Sequence, residues 1–314
     1  MNDSISKRRI AMIGIGDIAR KVYLPLLAHH EQAEIVGVIS RSEETVQRTV
    51  AQYRLQHGTT NLNELWSWGV DAVFVHSPTA AHYDIVKACL EHGLPVYVDK
   101  PLSADLSECR ELAALAKAKG LLLAVGFNRR FAPMYQEAKS WLASAGGFDQ
   151  MSAVKHRTRQ QSGTAGETVF DDLIHMLDLL LWLGGDEYHI ASRQLVRDAE
   201  GRMLHASGAL GFRDTRYGSY GMVRQAGTDL EKLELHGGSR SAEVINLEQA
   251  VLYEKGQSSV TRTFGSWDTI LERRGFAGAV NHFLECIVRP ELCSIRADKV
   301  LSSHELAARI ADNS

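Results

Sequence analysis

One stretch near the start of the chain restricts the fold more than any other: Arg9-Ile-Ala-Met-Ile-Gly-Ile-Gly-Asp-Ile-Ala-Arg20. The apolar run from Ile10 to Ile13 reads as a buried parallel strand. It breaks at Gly14 and Gly16, and a helical pattern follows through Val22, Leu24 and Leu27. Strand, glycine-rich turn and helix in that order are what a dinucleotide fingerprint requires. Gly14 permits the tight turn and Gly16 lets the backbone approach a pyrophosphate. Ala19 stands where the third glycine would, and Asp17 and Ile18 open the helix whose amides would receive the phosphates. Glycines also punctuate ordinary strand–helix turns, but here the pattern starts at the first strand and further βα units follow it.

The end of the second strand, Glu34 to Ser40, bears on the choice of cofactor. An NAD site carries Asp or Glu there to bind the ribose 2′-hydroxyl. This chain has Ser40-Arg41-Ser42, with no carboxylate to repel a 2′-phosphate and a guanidinium able to grip one. The expectation is NADP(H) over NAD(H). Ser42 also has the form of an N-cap, followed by Glu43 and Glu44 where the helix dipole favours acids. Further strands are expected within Asp71–Pro78, Pro95–Asp99 and Leu121–Val125, with helices between them and a capping box at Asp105 and Glu108. The alternation implies right-handed βαβ units, a parallel sheet, and ligands beyond the carboxyl ends of its strands. His76, Ser77, Pro78, His82, Asp99 and Lys100 fall at or just past such ends, and we take them as candidate nucleotide contacts. On the residues alone Lys100 is either a solvated strand end or a functional cation.

Past Asn128-Arg129-Arg130-Phe131 the rhythm stops. The expected division is a Rossmann domain over 1–127 and an α+β domain over 128–314, the latter built on a large, mostly antiparallel sheet. Its signals are a helix from Gln136 to Ser144, hairpin turns near Gly201, Gly238 and Gly256, and returning helical patterns near 274–288 and 303–310. One further helix, Glu167 to Leu183, carries chemistry. Leu173, Leu177 and Leu180 form its apolar stripe, while Asp171, His175 and Asp178 are spaced to share another face. A histidine with a carboxylate one turn away can be oriented and made more basic by it. A helix-start acid and a satisfied core histidine would be the plainer explanation. No second histidine or cysteine joins the stripe, so a metal reading fails there.

Bulk properties exclude several classes. A chain of 314 residues that is 45% hydrophobic and 23% charged, with a net charge of −3, carries no nucleic-acid footprint. Its four cysteines, Cys89, Cys109, Cys286 and Cys293, make no CxxC pair and no zinc spacing, and read as buried thiols in a reducing compartment. No stretch is long enough to span a bilayer. Lys7-Arg8-Arg9 before an apolar run could mimic a signal peptide, but Asp17 interrupts the run and no cleavage site follows. The expectation is a cytoplasmic protein without membrane or nucleic-acid partners and without a metal.

Assembled, these residues resemble the Gfo/Idh/MocA oxidoreductases. The resemblance rests on Gly14-Ile-Gly-Asp-Ile-Ala19, on Asp99-Lys-Pro101 where the family has Glu-Lys-Pro, on Gly126-Phe-Asn-Arg-Arg-Phe131, and on Asp171-Asp-Leu-Ile-His175 followed by Asp178. Within the family the chain is most similar to the MviM-type proteins, through Val75-His-Ser77, Asp171-Asp172 and Leu271-Glu-Arg-Arg-Gly-Phe276. The resemblance implies a catalytic set of Lys100, Asp171 and His175. His175 would be the general acid/base, Lys100 would stabilise charge on the reacting oxygen, and Asp171 would tune the pair. It implies hydride transfer between a nicotinamide and a sugar, cyclitol or related polyol or carbonyl, and a homo-dimer or tetramer formed through the second domain's sheet. Asp172 adds a carboxylate that could replace Asp171 in facing the site. Arg129, Arg157, Asp172 and Trp267 are candidate substrate contacts, and Asn128 a candidate cofactor contact. The rival from another class is a nucleotide-bound sensor without turnover.

Overall fold

The computed structural model describes residues 7–312, which divide into two compact units. The first runs through Gly126 and takes back Val280–Leu301. It is built on six parallel strands: β1 (Arg8–Ile13), β2 (Ala33–Ile39), β3 (His57–Thr59), β4 (Ala72–Val75), β5 (Val96–Val98) and β6 (Leu123–Val125), in the order β3-β2-β1-β4-β5-β6. The strands are continuous apolar runs rather than alternating ones because both faces of the sheet are covered; every residue of β4 and β5 is fully buried. Helices α1 (Leu24–Ala28), α2 (Glu43–Tyr53), α3 (His82–Glu91) and α4 (Leu106–Ala118) separate the strands. Strand order reverses between β1 and β4, which makes a ligand crevice at their carboxyl ends.

The caps follow the sequence, with one modification. Ser42 Oγ accepts from Thr45 N at 3.2 Å, and Asp105 accepts from Ser107 N at 2.7 Å. The capping box closes through a relay: the Asp105 amide donates to Ser103 Oγ, whose own proton goes to the Glu108 carboxylate. The single division expected at 127 is modified, because the chain comes back to the first unit over Val280–Leu301. That return is fixed by packing. Phe283 stands edge-on to Phe74 and Tyr97, at 5.3 and 5.6 Å, and Val125 N donates to Ile295 O.

The second unit comprises Phe127–Ala279 and the chain from Ser302. Its sheet has eight strands: β7 (Gln150–His156), β8 (Tyr188–Arg197), β9 (Met203–Phe212), β10 (Tyr217–Val223), β11 (Leu230–Gly237), β12 (Arg240–Ile245), β13 (Gln249–Glu254) and β14 (Val260–Thr263). The order is β14-β13-β12-β11-β7-β10-β9-β8, antiparallel throughout except where β7 meets β10. α5 (Pro133–Ala143) begins three residues before the helix expected from Gln136, because Pro133 is preorganised for the first helical position. α6 (Ala165–Thr168), capped reciprocally by Thr164 and Glu167, continues through a π turn (Val169–Leu173) into α7 (Ile174–Gly184), which is almost wholly buried. α8 (Ile270–Arg273), α9 (Phe276–Cys286) and α10 (Leu301–Ala311) follow. No described helix is long and apolar enough to cross a membrane.

Three inward rows of the second sheet end in a charge. Met151 and Ala153 lead to Lys155 on β7, Leu235 and Leu233 lead to Glu231 on β11, and Tyr220 and Met222 lead to Arg224 just past β10; all nine are buried. Lys155 and Glu231 are register partners across β7 and β11. Charges in the buried phase of a strand need compensation, and they have it from each other and from the helical segment that bears Asp172.

Candidate active site

In the first unit a cavity of about 630 Å³ opens at the carboxyl ends of β1, β2 and β4, lined by Gly14, Gly16, Ser40, Arg41, His76 and Ser77 among others. The two glycines do different work. Gly14 has φ +87°, and a Cβ there would lie 2.6 Å from the backbone carbon of His76, so only glycine fits the turn. A Cβ on Gly16 would meet nothing nearer than His76 O at 4.0 Å; its bare backbone faces open space, as approach by a phosphate requires. Asp17, Ile18 and Pro78 line the same cavity, although Asp17 is exposed and ion-paired with Arg20 and Lys21. Arg41 is exposed on the cavity edge, and Ser42 spends its hydroxyl on the α2 cap.

Beneath this cavity lies a polar cluster. His76 Nδ1 and Asp99 Oδ2 are 2.8 Å apart, Tyr23 stacks on the imidazole at 3.9 Å, and the Tyr23 hydroxyl donates to Asp99 Oδ1 at 3.1 Å. Burial alone would raise the Asp99 carboxyl, but His76, the Tyr23 hydrogen bond and Lys100 outweigh it and hold it low. An ionised Asp99 only accepts, so His76 carries its proton on Nδ1. His76 Nε2 and Ser77 Oγ are buried without hydrogen-bond partners, and both residues line the cavity. Two polar atoms left over beside a glycine turn are what a nucleotide ligand would satisfy. His82 bridges Ser77 O and Pro101 O at 2.8 and 2.9 Å and is buried, which lowers its pKa despite both carbonyls; it ties the two loops together. Lys100 follows Asp99 directly, before a cis peptide to Pro101.

In the second unit His175 is buried at 5% exposure, and Arg129 Nη1 lies 3.0 Å from its Nε2. A guanidinium can only donate, so Nε2 accepts. Arg129 also grips Glu231 with two bonds of 3.0 Å, and Tyr135 donates to the same carboxylate at 3.2 Å. Burial opposes ionisation of Glu231, but Arg129 and Lys155 prevail and bring it down to about 2. Asp172 receives Lys155, Arg224 Nη1 at 2.6 Å and, more loosely, Arg157 Nε at 3.5 Å; these outweigh its burial and hold it far below the usual range.

The π turn over Val169–Leu173 holds both aspartates, so the i, i+4 spacing of an ordinary helix does not decide which carboxylate serves the site. Asp171 is exposed and accepts from Gln161 at 2.7 Å, whereas Asp172 enters the buried cation cluster. Asp178, expected on the face of His175, instead holds Arg130 bidentately and accepts from Ser303 Oγ, a structural role. Asn128 is buried, donating to Arg274 O and accepting from Arg129. Trp267 is 94% exposed and Arg157 half-buried. Lys155, Arg224 and Glu231 are not among the residues expected from the sequence. Their signal is a charge in the inward phase of a period-two pattern.

Known proteins share the sequence and the fold of both units. Residues 8–127 match the model described as an oxidoreductase family with an NAD-binding Rossmann fold, the Gfo/Idh/MocA model, and residues 133–255 match the YceM-like C-terminal domain. The protein YceM of Salmonella typhimurium is 36% identical over 89% of this chain and 89% of its own. The chain belongs to the Gfo/Idh/MocA oxidoreductase family. The solved MviM dehydrogenase of Clostridium difficile superposes with a TM-score of 0.90 at 32% identity, covering 96% of this chain and 98% of that one. A more distant family member, the NAD-dependent scyllo-inositol 2-dehydrogenase of Bacillus subtilis, is 27% identical over 70% of this chain and 68% of its own. The Gfo/Idh/MocA assignment makes the first unit an NAD-binding Rossmann domain.

Proposed function

We propose that the chain is an NADP(H)-preferring oxidoreductase that moves a hydride between the nicotinamide and a carbon of a sugar, cyclitol or related polyol or carbonyl compound. The reading is carried by His175, a buried imidazole whose Nε2 accepts from a neighbouring guanidinium. Because Arg129 donates to Nε2, that nitrogen presents a lone pair and the ring proton sits on Nδ1. A neutral imidazole can take a proton from an alcohol, and a substrate hydroxyl donating to Nε2 replaces the Arg129 N–H there. A nucleotide sensor has no use for such a group.

A bound nicotinamide supplies the hydride acceptor or donor. Gly14 and Gly16 hold the backbone open to the pyrophosphate, and the helix that follows presents its amides. His76 Nε2 and Ser77 Oγ offer the two unsatisfied polar atoms. Arg41 grips the 2′-phosphate at a strand end that has no carboxylate, which supports NADP(H). Lys100 stabilises negative charge on the substrate oxygen, and of the two aspartates beside His175 the half-buried Asp172 fixes the cations around it. The second sheet exposes Tyr217, Val223 and Tyr253, which supports self-association. The test is the nicotinamide absorbance of the protein mixed with NADP+ and a panel of sugars and cyclitols. Turnover that disappears in His175→Ala supports the reading, and an active His175→Ala removes the assigned acid/base.

A further inference from the structure

The second unit's cluster does not balance its charge. Arg129 and Glu231 close a bidentate pair. That leaves Lys155, Arg157 and Arg224 all directed at one carboxylate, Asp172. Two other acids stand near: Asp171 is taken up by Gln161 and Asp229 by Thr158, both exposed to water and screened. Lys155 and Arg224 are buried and share Asp172, so one positive charge remains in excess where solvent compensates it poorly, and the half-buried Arg157 adds a second. The excess shows in Lys155, which burial and the repulsion of Arg129 and Arg157 push down to about 8 despite two carboxylates.

The donors point to what would restore the balance. Arg224 Nε is buried without a partner. Among the described residues the Arg157 side chain, 26% exposed, makes two loose polar contacts, each 3.5 Å, to Asp172 and to the carbonyl of His156, and acts at longer range on the exposed Asp229. A planar guanidinium with spare donors, backed by a buried lysine and a second arginine, suits a carboxylate or phosphate. His175 joins the same cluster through Arg129 and Glu231, which also touches Lys155.

We propose that the substrate is an anion: a polyhydroxylated compound whose carboxylate or phosphate is held at Arg157, in front of Lys155 and Arg224, while its reacting carbinol or carbonyl reaches His175. This rests on the hydride-transfer reading above and narrows its substrate class.

Matched triplets test it: a hexose, the corresponding hexuronic acid and the hexose phosphate, each mixed with the NADP+-loaded protein and with Arg157→Gln. The expected result is a kcat/KM for one anionic member at least about tenfold above its neutral partner, with that ratio falling toward one in Arg157→Gln and less in Arg157→Lys. The better of the acid and the phosphate identifies the anionic group. A neutral sugar preferred over both, or a ratio unchanged in Arg157→Gln, overturns the proposal. If no triplet turns over, calorimetric binding to the NADPH-loaded protein separates the two ideas. Anion binding that is lost in Arg157→Gln keeps the anionic site and sinks hydride transfer to this substrate class. Equal binding of acid and neutral sugar overturns the site itself.

Discussion

Replacing Glu231 by Gln removes one charge and almost no volume, and its cost can be worked out in two ways. The carboxylate accepts two bonds from Arg129 and one from Tyr135, and lies 3.9 Å from Lys155. Breaking a buried pair by removing one partner costs about 3–5 kcal/mol, because the remaining charge is stranded. Linkage gives a similar figure. The folded pKa falls from 4.5 to about 2, and at 1.36 kcal/mol per unit that amounts to roughly 3 kcal/mol. A depressed carboxyl pKa contributes stability that is fully present above the unfolded value and lost as pH falls through the folded one. Protonated Glu231 closely resembles Gln, so the difference between the two proteins must itself depend on pH. Urea unfolding of both should give a gap of about 3 kcal/mol at neutral pH. That gap should shrink from about pH 5 downward and approach zero near pH 2. A gap under about 1 kcal/mol, or one that stays constant across this range, refutes the electrostatic account of the cluster.

Three further outcomes are expected. Arg41→Ala should weaken NADPH binding about tenfold or more while changing NADH binding much less, read by fluorescence titration; equal losses remove the 2′-phosphate argument. Arg129→Gln removes the guanidinium that donates to His175 Nε2 and strands Glu231, so kcat/KM should fall at least about tenfold while NADPH binding is unchanged. An unchanged kcat/KM would show that Arg129 does not position the ring. Gly14→Ala puts a Cβ against the His76–Ser77 backbone at a positive φ and should abolish nucleotide binding in a protein whose second unit still melts normally; retained affinity contradicts the assigned turn.

The sheets and the glycine turn were legible because their signals are local. Apolar runs of four to seven residues, glycine punctuation and caps such as Ser42 lie within short windows, and the structure places strands and helices on them. The acids and cations of the second unit were not legible as a group, since Arg129, Lys155, Asp172, Arg224 and Glu231 are scattered over about a hundred residues; strand register joins Lys155 to Glu231, and the helical turns that bear Arg129 and Asp172 complete the cluster. The π turn is a second reason. Helical spacing put Asp171 and Asp178 with His175, whereas one carboxylate is exposed on Gln161 and the other is locked to Arg130. The return of Val280–Leu301 to the first unit left no mark in its helical pattern, because the apolar stripe of α9 does not say which core it fills.

The most direct test of the central claim follows the hydride itself. NADPH carrying deuterium at the transferable position of the nicotinamide, incubated with the protein and a panel of keto-sugars, keto-acids and inososes, should yield a product one mass unit heavier at the reduced carbon. The label should be absent from the product of Lys100→Met, which should still bind NADPH. Tight NADPH binding by the wild-type protein with no deuterium transferred to any member of the panel would contradict the oxidoreductase reading and favour a nucleotide sensor.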